Sequence, residues 1–263
     1  MAYAEARHGR LHFEILDLVA PWEARRETII FHHGIGAHPG IWTQWFPALQ
    51  ERYRIVVFHM RGSGRSHDPA YSFEWTLDLL TSDVLAIADA AGIDRFHFVG
   101  ESMGGTIGLC LAMNHPERVA SLTVSNGAHV GGAIQRAQIW RKQIETSGMK
   151  GWSDQFLDDR FYAGAISEQQ REWFARCQEA WPIASVLGAM STLMDVDMRG
   201  GLNSIQCPVL LLHGDSSPFI AVEVMADLHA SLQDSRFHVF AHARHGLPFS
   251  HARECAATVA SFL

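Results

Sequence analysis

Ser102 stands in Gly100-Glu101-Ser102-Met103-Gly104, directly after the β-rich run Arg95-Phe96-His97-Phe98-Val99 and directly before a helix pattern rich in small residues. A serine on a sharp strand-to-helix turn is carried beyond the strand end, to the positive end of the following helix, where a developing oxyanion is stabilised. Such a turn strains the backbone, so its neighbours must be small enough for the strand and helix to cross, and Gly100 and Gly104 meet that need. The chemistry this predicts is nucleophilic attack on a carbonyl carbon. The same five residues could also form a plain tight turn with a surface serine; the strand before and the helix after favour the nucleophile.

A serine hydroxyl needs a base to take its proton. Of the 16 histidines, His245, in Ala243-Arg244-His245-Gly246-Leu247-Pro248, lies between a predicted strand and the final helix, where a loop could bring it over the sheet edge to Ser102. His242 is the rival. The His242-x-x-His245 spacing has no Cys, Asp or Glu beside it at ligand spacing, so no metal site is predicted. Acyl transfer also needs donors aimed at the oxygen that turns negative. The run Ile29 to Gly36 reads as a strand ending in His33-Gly34, and the N–H groups of Ile35 and Met103 are predicted to form the oxyanion hole. His33 then reads as a hydrogen-bonded scaffold residue. The alternative for this run is a glycine-rich turn with no ligand.

These residues require a frame. Short β-rich runs at Leu11 to Val19, Thr28 to His32, Arg54 to Phe58, Arg95 to Val99 and Val119 to Val124 alternate with helix-like spacing at Trp42 to Glu51, Leu77 to Ala91 and Thr106 to Asn114. The alternation predicts a mostly parallel sheet covered on both faces. It stops between Val130 and Ser204, where amphipathic segments rich in Trp, Met, Phe and Gln predict a helical cap. It resumes with the strand Pro208 to His213, a helix from Val222 to Leu232, the strand Arg236 to Phe240 and a helix from Arg253 to Phe262. The expected organisation is a core domain of residues 1–129 and 205–263 with a cap of residues 130–204. Trp140, Trp152, Trp173 and Trp181 are expected to pack the cap against the core, with one or two left to line an apolar pocket.

Composition sets the outer limits. The chain has 263 residues, 48% hydrophobic and 19% charged, which suits one α/β domain with an insertion. A formal net charge of -7 without long runs of one sign leaves no footprint for nucleic acid, and Arg25-Arg26 reads as solvated surface. The start, Met1 to Arg7, lacks a signal-peptide pattern, and no apolar run approaches the ~20 residues that span a bilayer. A cytoplasmic protein with no membrane partner is therefore expected. Cys110, Cys177, Cys207 and Cys255 are far apart and read as reduced, mostly buried thiols.

From Thr28 to Leu263 the chain resembles the α/β-hydrolase superfamily, especially members similar to 3-oxoadipate enol-lactonase. The resemblance is carried by His33-Gly34 with Trp42, Arg61-Gly62-Ser63-Gly64-Arg65-Ser66, the turn at Ser102, His115-Pro116-Glu117-Arg118-Val119, Pro208 to Gly214, and His245 to Leu263. It implies the α/β-hydrolase fold, no cofactor, Ser102 as nucleophile, Met103 with Ile35 as oxyanion donors, and His245 as base. Two departures stand out. His59-Met60 replaces the aspartate that relatives carry before the Arg-Gly-x-Gly-x-Ser loop. Ser217 occupies the usual position of the triad acid, in Gly214-Asp215-Ser216-Ser217-Pro218.

The nearest carboxylate to that position is Asp215, beyond the end of a predicted strand where open α/β sheets build their sites, and it is the candidate acid. Its other reading is a turn residue capping local backbone. The other site for an acid, after the preceding strand, offers only an amide in Ser125-Asn126-Gly127. Glu101 reads as a surface or supporting residue, Glu14, Asp17 and Asp68 as solvated charges, and Asp195 and Asp197 as helix-end or ion-pair residues. The expected function is hydrolysis of a small ester or lactone through an acyl-enzyme, with 3-oxoadipate enol-lactone as the named candidate. The alternatives are a carbon–carbon bond hydrolase of ring-cleavage products and a ligand-binding homologue with weak turnover.

Overall fold

The computed structural model describes residues 2–23, 26–70 and 72–263; Arg25 of the Arg25-Arg26 pair lies outside them, and for residues 137 and 138 only the backbone is described. Strands β1 (Ala2–Ala6), β2 (Gly9–Leu16), β3 (Glu27–His32), β4 (Tyr53–Phe58), β5 (Phe96–Glu101), β6 (Val119–Ser125), β7 (Val209–Gly214) and β8 (Ser235–Phe240) form one sheet in the order β1-β2-β4-β3-β5-β6-β7-β8. β1 and β2 pair antiparallel with each other, and β2 with β4; all other neighbours are parallel. β1 adds a strand that the residue pattern does not announce, because Ala-Tyr-Ala-Glu-Ala has little β-branched character.

The helices are α1 (Phe46–Leu49), α2 (Leu77–Ala90), α3 (Met103–Asn114), α4 (Ala137–Arg160), α5 (Glu168–Glu179), α6 (Ile183–Met194), α7 (Val222–Ser231), α8 (Leu247–Ser250) and α9 (Ala252–Phe262). The helix expected over Trp42 to Glu51 is instead a 3-10 segment, Pro39–Trp45, running into the single turn of α1. Pro47, which cannot donate a backbone hydrogen bond, stands at the break.

The side-chain period of two in each strand divides the core into two layers. In β3, Ile30 joins Val56, Phe98, Ile107 and Leu122 on one face of the sheet, while Ile29 and Phe31 join Trp42, Trp45, Val99 and Val259 on the other. β7 splits the same way, Val209 and Leu211 against Leu210 and Leu212. Strands buried on both faces read as near-continuous apolar runs, which is why these segments were visible as strands.

Between β6 and β7 the chain forms α4, α5 and α6. Among its described residues the only β pairing is an isolated antiparallel bridge between Val130 and Asp197, which joins the two ends of the segment. α4 is interrupted at Gly148, whose φ of 65° and ψ of −173° lie outside the helical region. Ser167 opens α5 with a capping box, its hydroxyl accepting from Gln170 N–H while the Gln170 side chain accepts from Ser167 N–H. Trp140, Trp152 and Trp181 are buried, and Trp181 Nε1–H donates to the Ala37 carbonyl at 3.0 Å, tying the segment to the loop after β3.

Candidate active site

β5 ends at Glu101 and α3 begins at Met103, so Ser102 forms the whole connection, with φ 54° and ψ −117°. That backbone is costly for a non-glycine residue. It is held from the β6 side, where Ser102 N–H donates to the Ser125 carbonyl at 2.8 Å. The two glycines are required by close approach: a Cβ on Gly100 would lie 2.3 Å from the Gly104 carbonyl oxygen, and one on Gly104 would lie 2.4 Å from that of His32. Helix α3 therefore packs directly on the ends of β5 and β3, and the Ser102 hydroxyl stands clear of both.

The structure brings His245 to Ser102. Its Nε2 lies 3.0 Å from Ser102 Oγ. The ring is buried, with the edge of Phe219 at a 4.8 Å centroid distance. Burial, and then the nearby Arg160 guanidinium and His213, push its pKa well below the ordinary histidine value, so the imidazole is neutral and able to accept a proton. With Nε2 facing the hydroxyl as acceptor, the proton sits on Nδ1, which faces Ser217 Oγ at 3.2 Å. His242 is exposed on the same loop and meets Tyr162 edge-on, so it is not the histidine at Ser102.

Asp215 is not brought onto His245, which corrects the expectation that it supplies the triad acid. Its carboxylate accepts from His242 N–H at 3.0 Å, Ala243 N–H at 3.2 Å and the Ser216 hydroxyl at 2.9 Å. Desolvation acts to raise its pKa, but these donors outweigh it and hold the carboxyl below its ordinary value. The residue caps the backbone of the loop that carries His245, the turn-capping alternative of the sequence reading.

Asn126 is a site residue that the sequence reading passed over as a mere amide. Fully buried at the end of β6 with φ 49°, it donates through Nδ2 to the His245 carbonyl at 2.9 Å and accepts through Oδ1 from Gly214 N–H at 3.2 Å. One side chain thus joins the ends of β6 and β7 to the histidine loop. Asparagine tolerates a positive φ better than other non-glycine residues, and that preference at a strand end was the available signal.

The loop after β3 carries Ile35. His33 Nδ1–H donates to the Gly34 carbonyl at 2.9 Å, and His33 Nε2 accepts from Met60 N–H at 3.1 Å, so the ring is a neutral, fully buried brace between two loops. Met103 is the first residue of α3, where a backbone N–H has no acceptor within its own helix. Glu101, expected at the surface or in support, is buried: Oε2 accepts from Gly34 N–H at 2.7 Å and Oε1 from Arg160 Nη1 at 2.9 Å.

The Arg61 to Ser66 loop, where the family resemblance leads one to expect a preceding aspartate, is anchored otherwise. Arg61 forks onto Asp83, with Nε–Oδ2 at 2.8 Å and Nη2–Oδ1 at 2.5 Å, and Ser66 Oγ–H donates to the His59 carbonyl at 2.6 Å. Beside this loop, His38, His59, Trp173, Arg176, Cys177 and Trp181 line a cavity of about 350 Å³. Cys177 is only half-buried there, whereas Cys110, Cys207 and Cys255 are buried, and all four thiols are free.

This architecture has known relatives. A family model described as the alpha/beta hydrolase fold matches residues 27–252. The chain belongs to that family. It is 27% identical over 237 residues to the protein of Caulobacter segnis named "Putative carbamate hydrolase RutD", covering 85% of this chain and 86% of the relative. It is 29% identical over 214 residues to 3-oxoadipate enol-lactonase 2 of Acinetobacter baylyi, covering 76% of this chain and 75% of that one. The crystal structure of the enol-lactonase from Burkholderia xenovorans LB400 superposes with a TM-score of 0.84 at 23% identity, over 99% of each chain, a likeness of fold. No described helix is long and apolar enough to cross a membrane.

Proposed function

We propose that this member of the α/β-hydrolase family is a serine hydrolase of small esters or lactones that works through an acyl-enzyme. The observation that carries the reading is the 3.0 Å approach of His245 Nε2 to Ser102 Oγ, on a serine whose backbone is held in a strained turn. Ser102 Oγ attacks the carbonyl carbon as its proton passes to Nε2, and the carbonyl oxygen, now negative, is met by the N–H groups of Ile35 and Met103. The tetrahedral adduct collapses, and the proton on Nε2 goes to the departing alcohol or enol oxygen, which in a lactone stays tethered to the acyl group. A water then loses a proton to Nε2 and attacks the acyl carbon; as the second adduct collapses, Nε2 returns that proton to Ser102 Oγ and the acid is released. Residues 130–204 act as a cap over this chemistry. The enol-lactone of 3-oxoadipate is the named candidate, after the relatives that carry that name.

A second reading, a ligand-binding homologue with weak turnover, is favoured by one observation: a serine hydroxyl, not a carboxylate, faces Nδ1 of His245. One experiment separates the two. A fluorophosphonate probe and a panel of short-chain chromogenic esters and enol-lactones are offered to the wild-type chain and to Ser102→Ala. Labelling at Ser102 with multiple turnovers supports the hydrolase; labelling without turnover supports the binding reading; undiminished labelling of Ser102→Ala removes Ser102 as nucleophile.

A further inference from the structure

Two loops must be set against Ser102 for acyl transfer, the one bearing Ile35 and the one bearing His245. A single buried residue of the helical segment touches both, the first through its side chain and the second through its backbone carbonyl. Arg160, at the last turn of α4, is 2% exposed, and Glu101, the neighbour of Ser102, is 1% exposed. Arg160 Nη1 donates to Glu101 Oε1 and Nη2 to the Ile35 carbonyl, each at 2.9 Å, while its own carbonyl accepts from Gly246 N–H at 2.9 Å. The guanidinium carbon lies over the rings of Phe156 and Phe174, at centroid distances of 4.7 and 5.4 Å. Glu101 Oε2 takes the N–H of Gly34 at 2.7 Å.

The polar groups of the Gly34-Ile35 pair are therefore nearly all occupied. Gly34 N–H goes to Glu101, Gly34 C=O accepts from His33 Nδ1–H and from Ala37 N–H, and Ile35 C=O accepts from Arg160. The group for which the described residues supply no partner is the N–H of Ile35. A buried ion pair is poor value as a stabilising device, because desolvating both charges offsets their attraction, and well-packed apolar residues would often serve stability better.

We propose that Glu101 and Arg160 are positioning residues for the acyl transfer: together they orient the Gly34-Ile35 segment so that Ile35 N–H aims at the oxyanion formed on Ser102, and they make that aim depend on the seating of α4. The inference rests on the hydrolase reading above. An oxyanion donor that is displaced stops stabilising the transition state while leaving ground-state binding largely intact, so its loss falls on kcat. Lysine cannot replace the arginine, because a point charge cannot hold Glu101 and the Ile35 carbonyl in one plane.

The test compares wild type with Arg160→Lys, with Glu101→Gln, and with the double variant Glu101→Gln/Arg160→Met, which leaves no unpaired buried charge. Folding is followed by thermal melting, Ser102 reactivity by the rate of fluorophosphonate labelling, and turnover by kcat and KM on a short-chain ester. The expected result is that the folded variants lose about 10²-fold in kcat and in labelling rate, with KM within about threefold. Folded variants with kcat and labelling within threefold of wild type, or a loss confined to KM, would overturn the proposal while leaving the hydrolase reading in place. A wild-type chain inert to both probe and esters would overturn that reading and the clamp's catalytic role with it. Should the double variant fail to fold, Arg160→Lys and Glu101→Gln, which retain hydrogen-bonding groups at both positions, carry the same comparison.

Discussion

Ser217 Oγ lies 3.2 Å from Nδ1 of His245, the ring atom at which the family resemblance leads one to expect a carboxylate. A hydroxyl can accept the Nδ1 proton and so select the tautomer, but it brings no negative charge to balance the imidazolium that forms when Ser102 is deprotonated. Introducing that charge should speed the reaction. Ser217→Asp is expected to raise kcat by about 10- to 10³-fold, within the range over which a triad acid acts. It should also move the acid limb of the pH–rate profile upward, because a carboxylate at Nδ1 raises the imidazole pKa. An unchanged or lower kcat in a folded Ser217→Asp would mean that His245 gains nothing from a charge there. Ser217→Ala, which strips the acceptor from Nδ1–H, should lose roughly five- to tenfold, the worth of about one hydrogen bond.

Wild-type activity should persist at a pH where an ordinary histidine has already been protonated. Burial pushes the His245 pKa well below the usual value of about 6.5, so the base remains neutral as pH falls through that region. The acid limb of kcat/KM is expected well below the ordinary histidine value of about 6.5. A limb centred at 6.5 or above would show that the ring is more solvated in the working enzyme than in this structure.

Stability should fall over the same range. Burial depresses the pKa of His32 to about 4, His59 to about 3 and His213 to about 4, with His245 depressed as well. Between about pH 6.5 and 4 the unfolded chain binds protons at these positions that the folded chain refuses, so their contribution is complete above 6.5 and is lost as pH falls. Asp83, whose carboxyl burial pushes up to about 6, opposes this between 3.8 and 6, as one group against several imidazoles. The urea midpoint should therefore decline steadily from pH 7 to pH 5; a midpoint that is flat or rising over that interval would contradict the buried-neutral assignment.

Much of this arrangement was legible in the residues because local rules and global fold agree. The runs around Ile29, Phe98 and Leu211 are apolar on both faces, which marks parallel strands, and Ser102 is bracketed by glycines that only a close strand–helix crossing requires. The spacing around His245 placed it before the last helix, and the structure seats it at Ser102. What remained hidden depends on contacts between distant segments. Glu101 and Arg160 are 59 positions apart with no motif between them. The direction of the Asp215 carboxylate is set by two N–H groups from another loop. A turn with one carboxylate and two hydroxyls does not announce which of them will face a histidine, because a shift of two residues along a turn reverses which side chain points inward.

That geometry changes what Asp215 should do. Asp215→Asn keeps an acceptor for one of the two backbone N–H groups at His242 and Ala243, so the loop is weakened without removing any partner of the His245 ring. The fall in kcat is expected to be less than about tenfold, with a loss of about 1 kcal/mol in stability, discounted for the exposure of the carboxylate. A loss of several orders of magnitude in kcat from Asp215→Asn, with folding intact, would place that carboxylate on His245 during catalysis.

Asn126 should be the more sensitive position, because its amide is buried and both of its polar ends are used. Asn126→Ala deletes the donor to the His245 carbonyl and the acceptor for Gly214 N–H, leaving two buried backbone groups unpaired at about 1–3 kcal/mol each by the general rule. It also puts an alanine at φ 49°, a conformation that alanine adopts less readily than asparagine. The melting temperature should drop by several degrees. Because the freed carbonyl belongs to His245 itself, kcat should fall together with the fluorophosphonate labelling rate, while KM changes little. Asn126→Asp separates the two roles of the amide: the carboxylate still accepts from Gly214 N–H but repels the His245 carbonyl, so the loop should be displaced while the β6–β7 junction holds. Measured side by side, both variants should lose stability, Asn126→Asp through its buried unpaired carboxylate, and both should lose rate. If folded Asn126→Ala retains full kcat, the donor to the His245 carbonyl is dispensable, and the histidine is held in place by Ser217, Phe219 and the loop backbone alone.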